Sequence, residues 1–410
     1  MCKDIIAAPW AVQSGWHVVI RQRPWSLIAR HARCRWVFYR GFLGQGDIAP
    51  CTEWLESCGC RAYNKSIGTK PVFGEETMFD YATTYTPDQN RYGRLDYQRC
   101  GKSGLMLPPV SLGLWHNFGD TGNYDTMRRM MFTAFDNGIT HFDLANNYGP
   151  EPGSAEVNAG RILHKDFAGH LDELVISTKA GFEMWEGPYG NWGSRKYLLN
   201  SLDQSLERLG LDHVDIFYHH RMDPKTPLEE TMGALATAVS SGKALYVGLS
   251  NYDGQTLEEA AKILDELHVP FIINQNRYNI LDRTVERNGL KETARRLGKG
   301  LITYSPLEQG ILTDRYLKGV PSDSRAARGE MDASEVDRTA AKVVKLNEIA
   351  RRRGQSLAQM ALAWLLQDDT VTSVLVGASR PEQILDDLKA VGNTEFSTDE
   401  LKSIDAISQA

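Results

Sequence analysis

Four polar side chains stand at or just beyond the ends of three apolar segments. Asp143 ends the segment ITHFD and Tyr148 follows it, whereas Lys179 ends LVISTK and His220 ends VDIFYHH. A lysine held by an aspartate lowers the pKa of a nearby phenol, and an imidazole beside them can orient a carbonyl oxygen. These residue types predict a site that donates a proton to an oxygen while hydride arrives from another molecule.

Taken one at a time, the same residues have ordinary structural explanations. A lysine at the end of a strand pairs with an acid, a loop tyrosine packs on the surface, and either His219 or His220 can be a core histidine with its hydrogen bonds satisfied. The chemical interpretation therefore depends on whether the fold brings the side chains together.

The elements that carry these residues alternate short apolar segments with amphipathic segments of helical length. The apolar segments read VSLGLW, THFDL, LVISTK, VDIFYHH, ALYVGLSN, FIINQNRY, LITYSP and SVLVGA. Continuous apolar strands separated by helices are typical of a parallel sheet covered by helices. Eight such units, roughly 30 to 40 residues each, predict a closed (β/α)8 TIM barrel.

Two further features of the sequence bear on the fold. LDYQRC, a GKSG turn and LMLP predict an N-terminal β-hairpin before the barrel, with Gly101 and Gly104 in the turn. A doubly wound sheet is the alternative, but no predicted strand is followed by a helix that begins with GxGxxG.

Active sites of (β/α)8 barrels lie at the C-terminal ends of the strands. The barrel therefore predicts that Asp143, Tyr148, Lys179 and His220 converge at that end.

Charge and cysteine usage divide the chain into two parts. Residues 1–77 hold 10 Lys and Arg against 6 Asp and Glu, whereas residues 78–410 hold 36 against 46. The acidic second part argues against a nucleic-acid partner. We expect residues 78–410 to be the barrel domain and residues 1–77 to be an atypical extension, disordered or not native, with translation starting near Met78. A targeting segment or a real accessory element are the alternatives for the extension.

The remaining composition bears on location. Five of the six cysteines lie in the first 60 residues, and only Cys100 lies beyond them, so the barrel has no disulfide framework. No segment approaches the ~20 apolar residues needed to span a bilayer. We therefore expect a cytoplasmic protein without a membrane segment, and a homo-oligomer is compatible with the sequence.

The chain resembles the aldo-keto reductase family over residues 90–405. The segments that carry the resemblance are GITHFDLANNYG, VISTKAG, VDIFYHHRMD, YVGLSN, TYSPLEQGILT and SVLVGASRPEQ. The resemblance implies catalytic roles for Asp143, Tyr148, Lys179 and His220, and its register selects His220 over His219. Within the family the chain looks most like the bacterial L-glyceraldehyde 3-phosphate reductases, and next like potassium-channel β subunits. The β subunits typically have Asn where this chain has His220.

The resemblance also implies a nicotinamide cofactor, NADPH, and the residues that bind it. Ser250, Asn251 and Gln275 are expected near the carboxamide, Tyr304 against the nicotinamide ring, and Trp115, Asp143 and Tyr148 beside it. Expected along the diphosphate are Ser305, Leu307, Gln309, Gly310, Arg315 and Arg325. Expected around the adenosine are Gly377, Ser379, Arg380, Gln383, Asp386 and Asp387.

The choice between the two nicotinamide cofactors depends on the adenosine end. A 2′-phosphate needs a cationic, hydrogen-bonding partner, so Ser379 and Arg380 favour NADPH over NADH. Asp387 departs from the family pattern, in which Asn is common, and adds negative charge near that phosphate. Ordinary exposed charges at a helix N-terminus are the structural alternative.

The expected substrate is a small aldehyde, glyceraldehyde 3-phosphate or a compound like methylglyoxal. The predicted aromatic mouth comprises Trp115, Phe118, Tyr148, Trp185, Tyr189 and Trp192. Arg195 or Arg221 is a candidate for meeting a substrate phosphate. The alternative functions are a redox-sensing regulatory subunit and a metal-dependent hydrolase, but neither HxH nor HExxH ends a predicted strand, and we expect no metal.

Overall fold

The structure, a computed structural model, describes residues 85–317, 319–322, 324, 326–329 and 332–409. The predictions made for residues 1–77 and for Arg325 lie outside these residues.

An N-terminal hairpin precedes the barrel, as predicted. Strands β1 (Gln98–Arg99) and β2 (Met106–Leu107) pair antiparallel. The turn needs glycine at position 101, because φ there is +55° and a Cβ would lie 2.1 Å from the carbonyl oxygen of Gly298. Cys100 and Leu107 pack into the apolar cluster inside the barrel, so the hairpin covers the barrel beside the start of a later strand, at Gly300.

Eight parallel strands form a closed barrel in the order β10-β3-β4-β5-β6-β7-β8-β9. Their bounds are β3 Val110–Gly113, β4 His141–Asp143, β5 Val175–Ala180, β6 Val214–His219, β7 Ala244–Ser250, β8 Phe271–Arg277, β9 Gly300–Tyr304 and β10 Val371–Val376. The predicted (β/α)8 TIM barrel is confirmed, and each strand overlaps the apolar segment proposed for it; β5, β9 and β10 extend one or two residues beyond their segments.

Helices follow the strands and cover the outside of the barrel. They are α1 Tyr124–Asp136, α2 Ser154–Asp166, α3 Arg195–Leu209, α4 Leu228–Ser240, α5 Gly254–Glu266, α6 Thr284–Arg287, α7 Leu290–Leu297, α8 Ala333–Arg352, α9 Leu357–Leu366, α10 Pro381–Leu388 and α11 Thr398–Gln409. Local sequence sets their ends. Helix α3, for example, begins after Ser194, whose side chain accepts from the Tyr197 N–H, and ends at Gly210 in the left-handed conformation.

Apolar side chains form two cores, one inside the barrel and one between the barrel and its helices. Successive side chains of a strand point to opposite faces. In β4, Phe142 packs in the outer core, whereas His141 and Asp143 make their hydrogen bonds inside the barrel. The alternation therefore decides which polar side chains can take part in an interior site.

None of the helices in the part of the chain that the structure describes is long and apolar enough to cross a membrane.

Candidate active site

A cavity of about 750 Å³ opens at the C-terminal ends of the barrel strands. Most side chains proposed for catalysis or cofactor binding line it: Trp115, Tyr148, His220, Asn251, Gln275, Tyr304, Ser305, Leu307, Gln309, Gly310, Arg315, Gly377, Ser379 and Gln383. The volume lies within the ~300 to 1,000 Å³ typical of small-molecule and cofactor sites. The fold thus places residues from separate strand ends around one space, as the barrel predicts.

Of the proposed residues that the structure describes, six do not line the cavity. Asp143, Lys179 and Ser250 are fully buried, Asp387 on α10 is 6% exposed, Asp386 is half-buried and Arg380 is exposed. Asp143 and Lys179 lie behind the cavity wall and are hydrogen-bonded to Gln275 and Tyr148, which line it.

Lys179 is a buried cation whose three protons all have acceptors. Its Nζ donates to Asp143 Oδ2, to the Leu144 carbonyl oxygen at 2.6 Å and to the Tyr148 hydroxyl at 3.3 Å. The strand register explains the pairing, because Asp143 lies opposite Ser177 on β5 and so within reach of the lysine two residues later. An ammonium group has three donors and no acceptor, so this lysine has no donor left over.

The Tyr148 phenol is held in its protonated form. Burial raises its pKa well above 10, and the Asp143 carboxylate raises it further. Burial also lowers the pKa of Lys179. We expected Lys179 to lower the phenol pKa; burial and Asp143 set the direction of the shift in the structure, and it is upward.

The His220 ring stands edge-on to two other rings. Its centroid lies 6.0 Å from that of Tyr148 and 4.6 Å from that of Phe182. Burial lowers its pKa well below 6.5, and Lys179 lowers it further, so the imidazole is neutral. Its Nδ1 is buried without a hydrogen-bonding partner among the described residues. His219 points elsewhere, with its Nδ1 2.7 Å from the Tyr252 hydroxyl, and does not line the cavity.

Side chains proposed for the nicotinamide end are hydrogen-bonded to two of the residues proposed as catalytic, His220 and Asp143. Tyr304 donates its hydroxyl to Asn251 Oδ1 at 2.7 Å, and Asn251 Nδ2 donates to the His220 carbonyl oxygen at 2.9 Å. Gln275 Nε2 donates to Asp143 Oδ1 at 3.2 Å. These bonds fix the two carboxamides relative to the proton-handling groups.

The segment from Ser305 to Gly310 combines backbone strain with a buried anchor. Ser305, Glu308 and Gln309 have φ values of 51°, 45° and 53°. Non-glycine residues in this region cost roughly 1 to 3 kcal/mol each and persist where surrounding structure holds them. Here the holding group is Glu308, 2% exposed, which accepts from Arg277 and from Asn279 Nδ2 at 2.7 Å.

Sequence reasoning missed Arg277 at this segment. It lines the cavity and ends β8, next to Tyr304 of β9 in the register. The sequence did contain a signal for this contact: Arg277 lies at the end of one predicted strand and Glu308 follows the next, and the ends of neighbouring parallel strands lie close together. Arg328 also lines the cavity and was not anticipated.

At the end proposed for the adenosine, Ser379 and Gln383 are joined across the start of α10. The Ser379 N–H and hydroxyl both donate to Gln383 Oε1, at 2.8 and 3.0 Å. Asp387 lies one turn further along the helix, and burial together with Asp386 raises its pKa to about 7. This end therefore carries a carboxyl group that titrates near neutrality.

Part of the predicted aromatic mouth is wrong. Trp115, Phe118 and Tyr148 line the cavity, whereas Trp185, Tyr189 and Trp192 do not. Those three belong to the segment between β5 and α3 and make other contacts: Trp185 contacts Tyr197, Lys196 lies over Tyr189, and Arg221 lies over Trp192. Phe182, which sequence reasoning missed, lines the cavity instead.

Both arginines considered for a substrate phosphate have protein acceptors. Arg221 lies between the rings of Phe182 and Trp192, 4.2 and 3.6 Å from their centroids, and donates to the Gly181 carbonyl oxygen. Arg195 donates to the Gly233 carbonyl oxygen at 2.9 Å and to a threonine hydroxyl on α4. Neither lines the cavity, so the structure does not place them at a substrate.

The residues present fit a nicotinamide dinucleotide. His220 and Ser379 line the same cavity, and Gly377 on its wall leaves open space where a side chain would stand. Hydrogen-bonding carboxamides, residues of the strained Ser305–Gly310 segment and Arg315 also line it. No group of three or more His, Cys, Asp or Glu side chains in the described ranges could hold a metal ion.

Comparison with known proteins adds independent information. The chain is 56% identical over 321 residues to L-glyceraldehyde 3-phosphate reductase of Escherichia coli (strain K12), covering 77% of this chain and 93% of that protein. It is 36% identical over 305 residues to a probable voltage-gated potassium channel subunit beta of Arabidopsis thaliana, covering 72% and 91%.

A solved structure shares the fold. The thermostable aldo-keto reductase Tm1743, in complex with the inhibitor epalrestat, matches with a TM-score of 0.61 and 31% identity over 76% of this chain and all of that one. The family model for the aldo/keto reductase family matches residues 109–409. With this match and these identities over most of its length, the chain belongs to the aldo/keto reductase family.

Proposed function

We propose that the protein reduces small aldehydes to alcohols with NADPH and that Tyr148 donates the proton. Family membership supports an oxidoreductase. The observation that carries the proposal is the position of the Tyr148 hydroxyl on the cavity wall, 3.3 Å from Lys179 Nζ and next to the neutral ring of His220. An acid, a cation and a neutral imidazole around one space can serve an oxygen that gains negative charge.

The hydrogen bonds give each residue a role. Lys179 can only donate, so the Tyr148 oxygen accepts from it and the phenol proton is free to point into the cavity. When bound, the cofactor supplies hydride to the carbonyl carbon. The raised pKa keeps the phenol protonated until the carbonyl oxygen becomes an alkoxide, which is a stronger base than phenolate. Lys179 then stabilises the phenolate that remains.

His220 and Asp143 complete the proposed mechanism. A neutral imidazole can donate one N–H to the carbonyl oxygen and hold it near the phenol without repelling Lys179. Asp143 accepts from Lys179 and keeps its ammonium group beside Tyr148. Proton donation by a positioned side chain contributes about 10² to 10⁴ in rate.

The proposed cofactor site follows the cavity from the nicotinamide to the adenosine. Its members are Trp115, Asp143, Tyr148, Ser250, Asn251, Gln275, Tyr304, Ser305, Leu307, Gln309, Gly310, Arg315, Arg325, Gly377, Ser379, Gln383 and Asp387. The Ser379 hydroxyl and the Arg380 guanidinium support a preference for the 2′-phosphate. Comparing kcat/KM for NADPH and NADH tests the preference, and equal values would contradict it.

The substrate proposal is a short aldehyde, glyceraldehyde 3-phosphate or a compound like methylglyoxal. Similarity to the E. coli L-glyceraldehyde 3-phosphate reductase supports it. Asn147 supports the first of these, because it lines the cavity and its Oδ1 is buried without a partner among the described residues. An unpaired amide oxygen favours a substrate that carries a hydroxyl next to the carbonyl, as glyceraldehyde 3-phosphate does and methylglyoxal does not.

The experiment is an activity panel with purified protein and NADPH. Glyceraldehyde 3-phosphate, glyceraldehyde, methylglyoxal and propanal are compared by kcat/KM. The proposal expects turnover of at least one of the first three above propanal. Tight NADPH binding with no turnover of any aldehyde would instead support a redox-sensing subunit, an alternative suggested by the similarity to potassium-channel β subunits.

The proposed location is the cytoplasm. The scarcity of cysteine after residue 60 supports it, because proteins of oxidising compartments commonly contain disulfides.

A further inference from the structure

A layer of polar side chains lies inside the barrel, one step along the strands from the catalytic layer. Ser111, His141, Ser177 and Ser373 come from four adjacent strands, and all are fully buried. Inner layers of such barrels are mostly bulky branched apolar residues. Buried polar groups are costly unless they are hydrogen-bonded. The proposed mechanism uses none of the four, so their presence needs a separate explanation.

The four side chains form one unbroken series of hydrogen bonds that ends on Asp143. Ser373 Oγ is 2.7 Å from Ser111 Oγ. Ser111 Oγ is 2.9 Å from His141 Nδ1, and His141 Nε2 is 3.0 Å from Ser177 Oγ. Ser177 Oγ donates to Asp143 Oδ1 at 2.6 Å. The series therefore starts on β10 and reaches the carboxylate that holds Lys179.

The donor and the acceptor of each hydrogen bond in the series can be assigned by starting from the Asp143 carboxylate, which can only accept. Asp143 accepts the only proton of the Ser177 hydroxyl, so Ser177 can only accept from His141. The His141 proton is therefore on Nε2. Burial lowers the pKa of His141 to about 4, so the ring is neutral at pH 7 and its Nδ1 is an acceptor. Ser111 donates to that nitrogen and Ser373 donates to Ser111.

We infer that His141 is a positioning residue for the proposed reduction: through Ser177 it holds Asp143 as an oriented carboxylate, which in turn holds Lys179 against Tyr148. All the dipoles of the series point at the carboxylate, and aligned hydrogen bonds in a low-dielectric interior strengthen one another. Without Ser177, the bond that Asp143 Oδ1 keeps among the described residues is the 3.2 Å bond from Gln275. This inference rests on the proposed function, because its consequence is a change in carbonyl reduction.

The first test breaks the series at Ser177 and uses its neighbour as a matched control. Thr178, the next residue of β5, is also fully buried and donates its hydroxyl to the buried Glu156 carboxylate at 2.5 Å. Ser177→Ala and Thr178→Val each remove one buried hydroxyl bonded to a carboxylate. The inference expects Ser177→Ala to lower kcat about 10- to 100-fold, the range for losing a hydrogen bond to a charged group. Thr178→Val keeps kcat near that of the wild type.

Binding separates positioning from general damage. NADPH affinity, measured by quenching of tryptophan fluorescence, is expected to stay close to the wild-type value in Ser177→Ala. His141→Gln, which keeps an N–H for Ser177, is expected to retain more kcat than His141→Leu. Equal kcat losses in Ser177→Ala and Thr178→Val, or equal kcat in the two His141 variants, would overturn the inference.

A spectroscopic test does not depend on turnover. In protein with ¹⁵N-labelled histidine, the resonances missing from His141→Gln belong to His141. The inference expects a neutral ring protonated at Nε2, with a slowly exchanging proton, at pH 7. A proton on Nδ1 would contradict it. If the wild type reduces no aldehyde, the proposed function fails, and the tautomer still decides whether the series points at Asp143.

Discussion

The ammonium nitrogen of Lys179 lies 3.3 Å from the phenol oxygen of Tyr148, and its other two protons are bonded to Asp143 and to the Leu144 carbonyl oxygen. A lysine with all three donors engaged cannot turn away without leaving a buried acceptor unsatisfied. The phenol is thus held at a fixed distance from a cation, while burial keeps it protonated. These two properties are what the proposed proton transfer requires.

The first prediction concerns the buried ion pair. Lys179→Met removes the cation and leaves Asp143, fully buried, without its charged partner. Breaking a buried pair from one side costs about 3 to 5 kcal/mol in the free energy of unfolding. We expect that loss in urea denaturation, together with a fall in kcat of at least about 100-fold from the weakened proton donor.

The double variant Lys179→Met/Asp143→Leu separates the two effects. It removes both charges, so most of the lost stability should return while kcat stays low. If the double variant has the same low free energy of unfolding as Lys179→Met, the unpaired charge of Asp143 does not account for the stability lost in Lys179→Met. Recovery of activity along with stability would contradict a catalytic role for the lysine.

The second prediction concerns stability in mild acid. Burial lowers the pKa of His141 and His219 to about 4 and that of His220 well below 6.5. The unfolded chain takes up these protons below pH 6.5 and the folded chain does not, so acid favours unfolding. Each histidine adds a slope of about 1.4 kcal/mol per pH unit between its folded and unfolded pKa.

Urea denaturation at pH 7, 6, 5 and 4.5 measures this dependence. From the three histidines alone we expect the free energy of unfolding to fall by roughly 4 kcal/mol per pH unit near pH 5. His219→Gln should lose about a third of that slope. A stability that is flat between pH 6.5 and 4.5 would show that the buried rings accept protons in the folded protein.

The sequence predicted the barrel and the converging strand ends because both depend on local patterns. Apolar runs separated by amphipathic segments define the strands, and the barrel topology alone brings Asp143, Lys179 and His220 to one end. The hairpin was predicted from glycines in a short turn, and Gly101 does have a positive φ. These features follow from residue type and spacing without any knowledge of packing.

Other features depend on contacts between distant segments. The net pKa of Tyr148 depends on how far burial outweighs a cation, which spacing does not reveal. Trp192 is an aromatic residue of the kind expected at the mouth, but it packs on Arg221, which follows β6, a contact between segments that spacing does not reveal. The Arg277 bond to Glu308 joins two strand ends, and neither residue was singled out without the structure.

The third prediction concerns cofactor affinity and pH. Burial and Asp386 raise the pKa of Asp387 to about 7, so its carboxyl is neutral below that pH and charged above it. If the 2′-phosphate binds near Ser379, a negative charge on α10, the helix that follows this residue, opposes its binding. We expect the Kd for NADPH to rise between pH 6 and 8, measured by fluorescence titration.

Asp387→Asn is the matched variant, since it keeps the shape and removes the charge. It should bind NADPH at pH 8 as tightly as the wild type does at pH 6. NADH, without the 2′-phosphate, should show a smaller change across the same range. An unaltered pH dependence in Asp387→Asn would place the titrating group elsewhere.

The fourth prediction concerns substrate choice at Asn147. Its unpaired amide can bond a hydroxyl next to the carbonyl, and a substrate without that hydroxyl leaves it unpaired. Asn147→Leu should lower kcat/KM for glyceraldehyde about 10-fold or more, with little change for propanal. The ratio of the two kcat/KM values is the measurement. If the ratio of kcat/KM for glyceraldehyde to kcat/KM for propanal is the same in Asn147→Leu as in the wild type, Asn147 does not distinguish the two substrates.

The central claim is that Tyr148 donates the proton, and Tyr148→Phe tests it most directly. The substitution removes one hydroxyl from the cavity wall and leaves the ring and its contact with His220 in place. The measurement is single-turnover reduction of glyceraldehyde by bound NADPH, with the Kd for NADPH measured in parallel. The account predicts a rate lower by about 10² to 10⁴ and a nearly unchanged Kd. A variant that binds NADPH and reduces the aldehyde at close to the wild-type rate would contradict it.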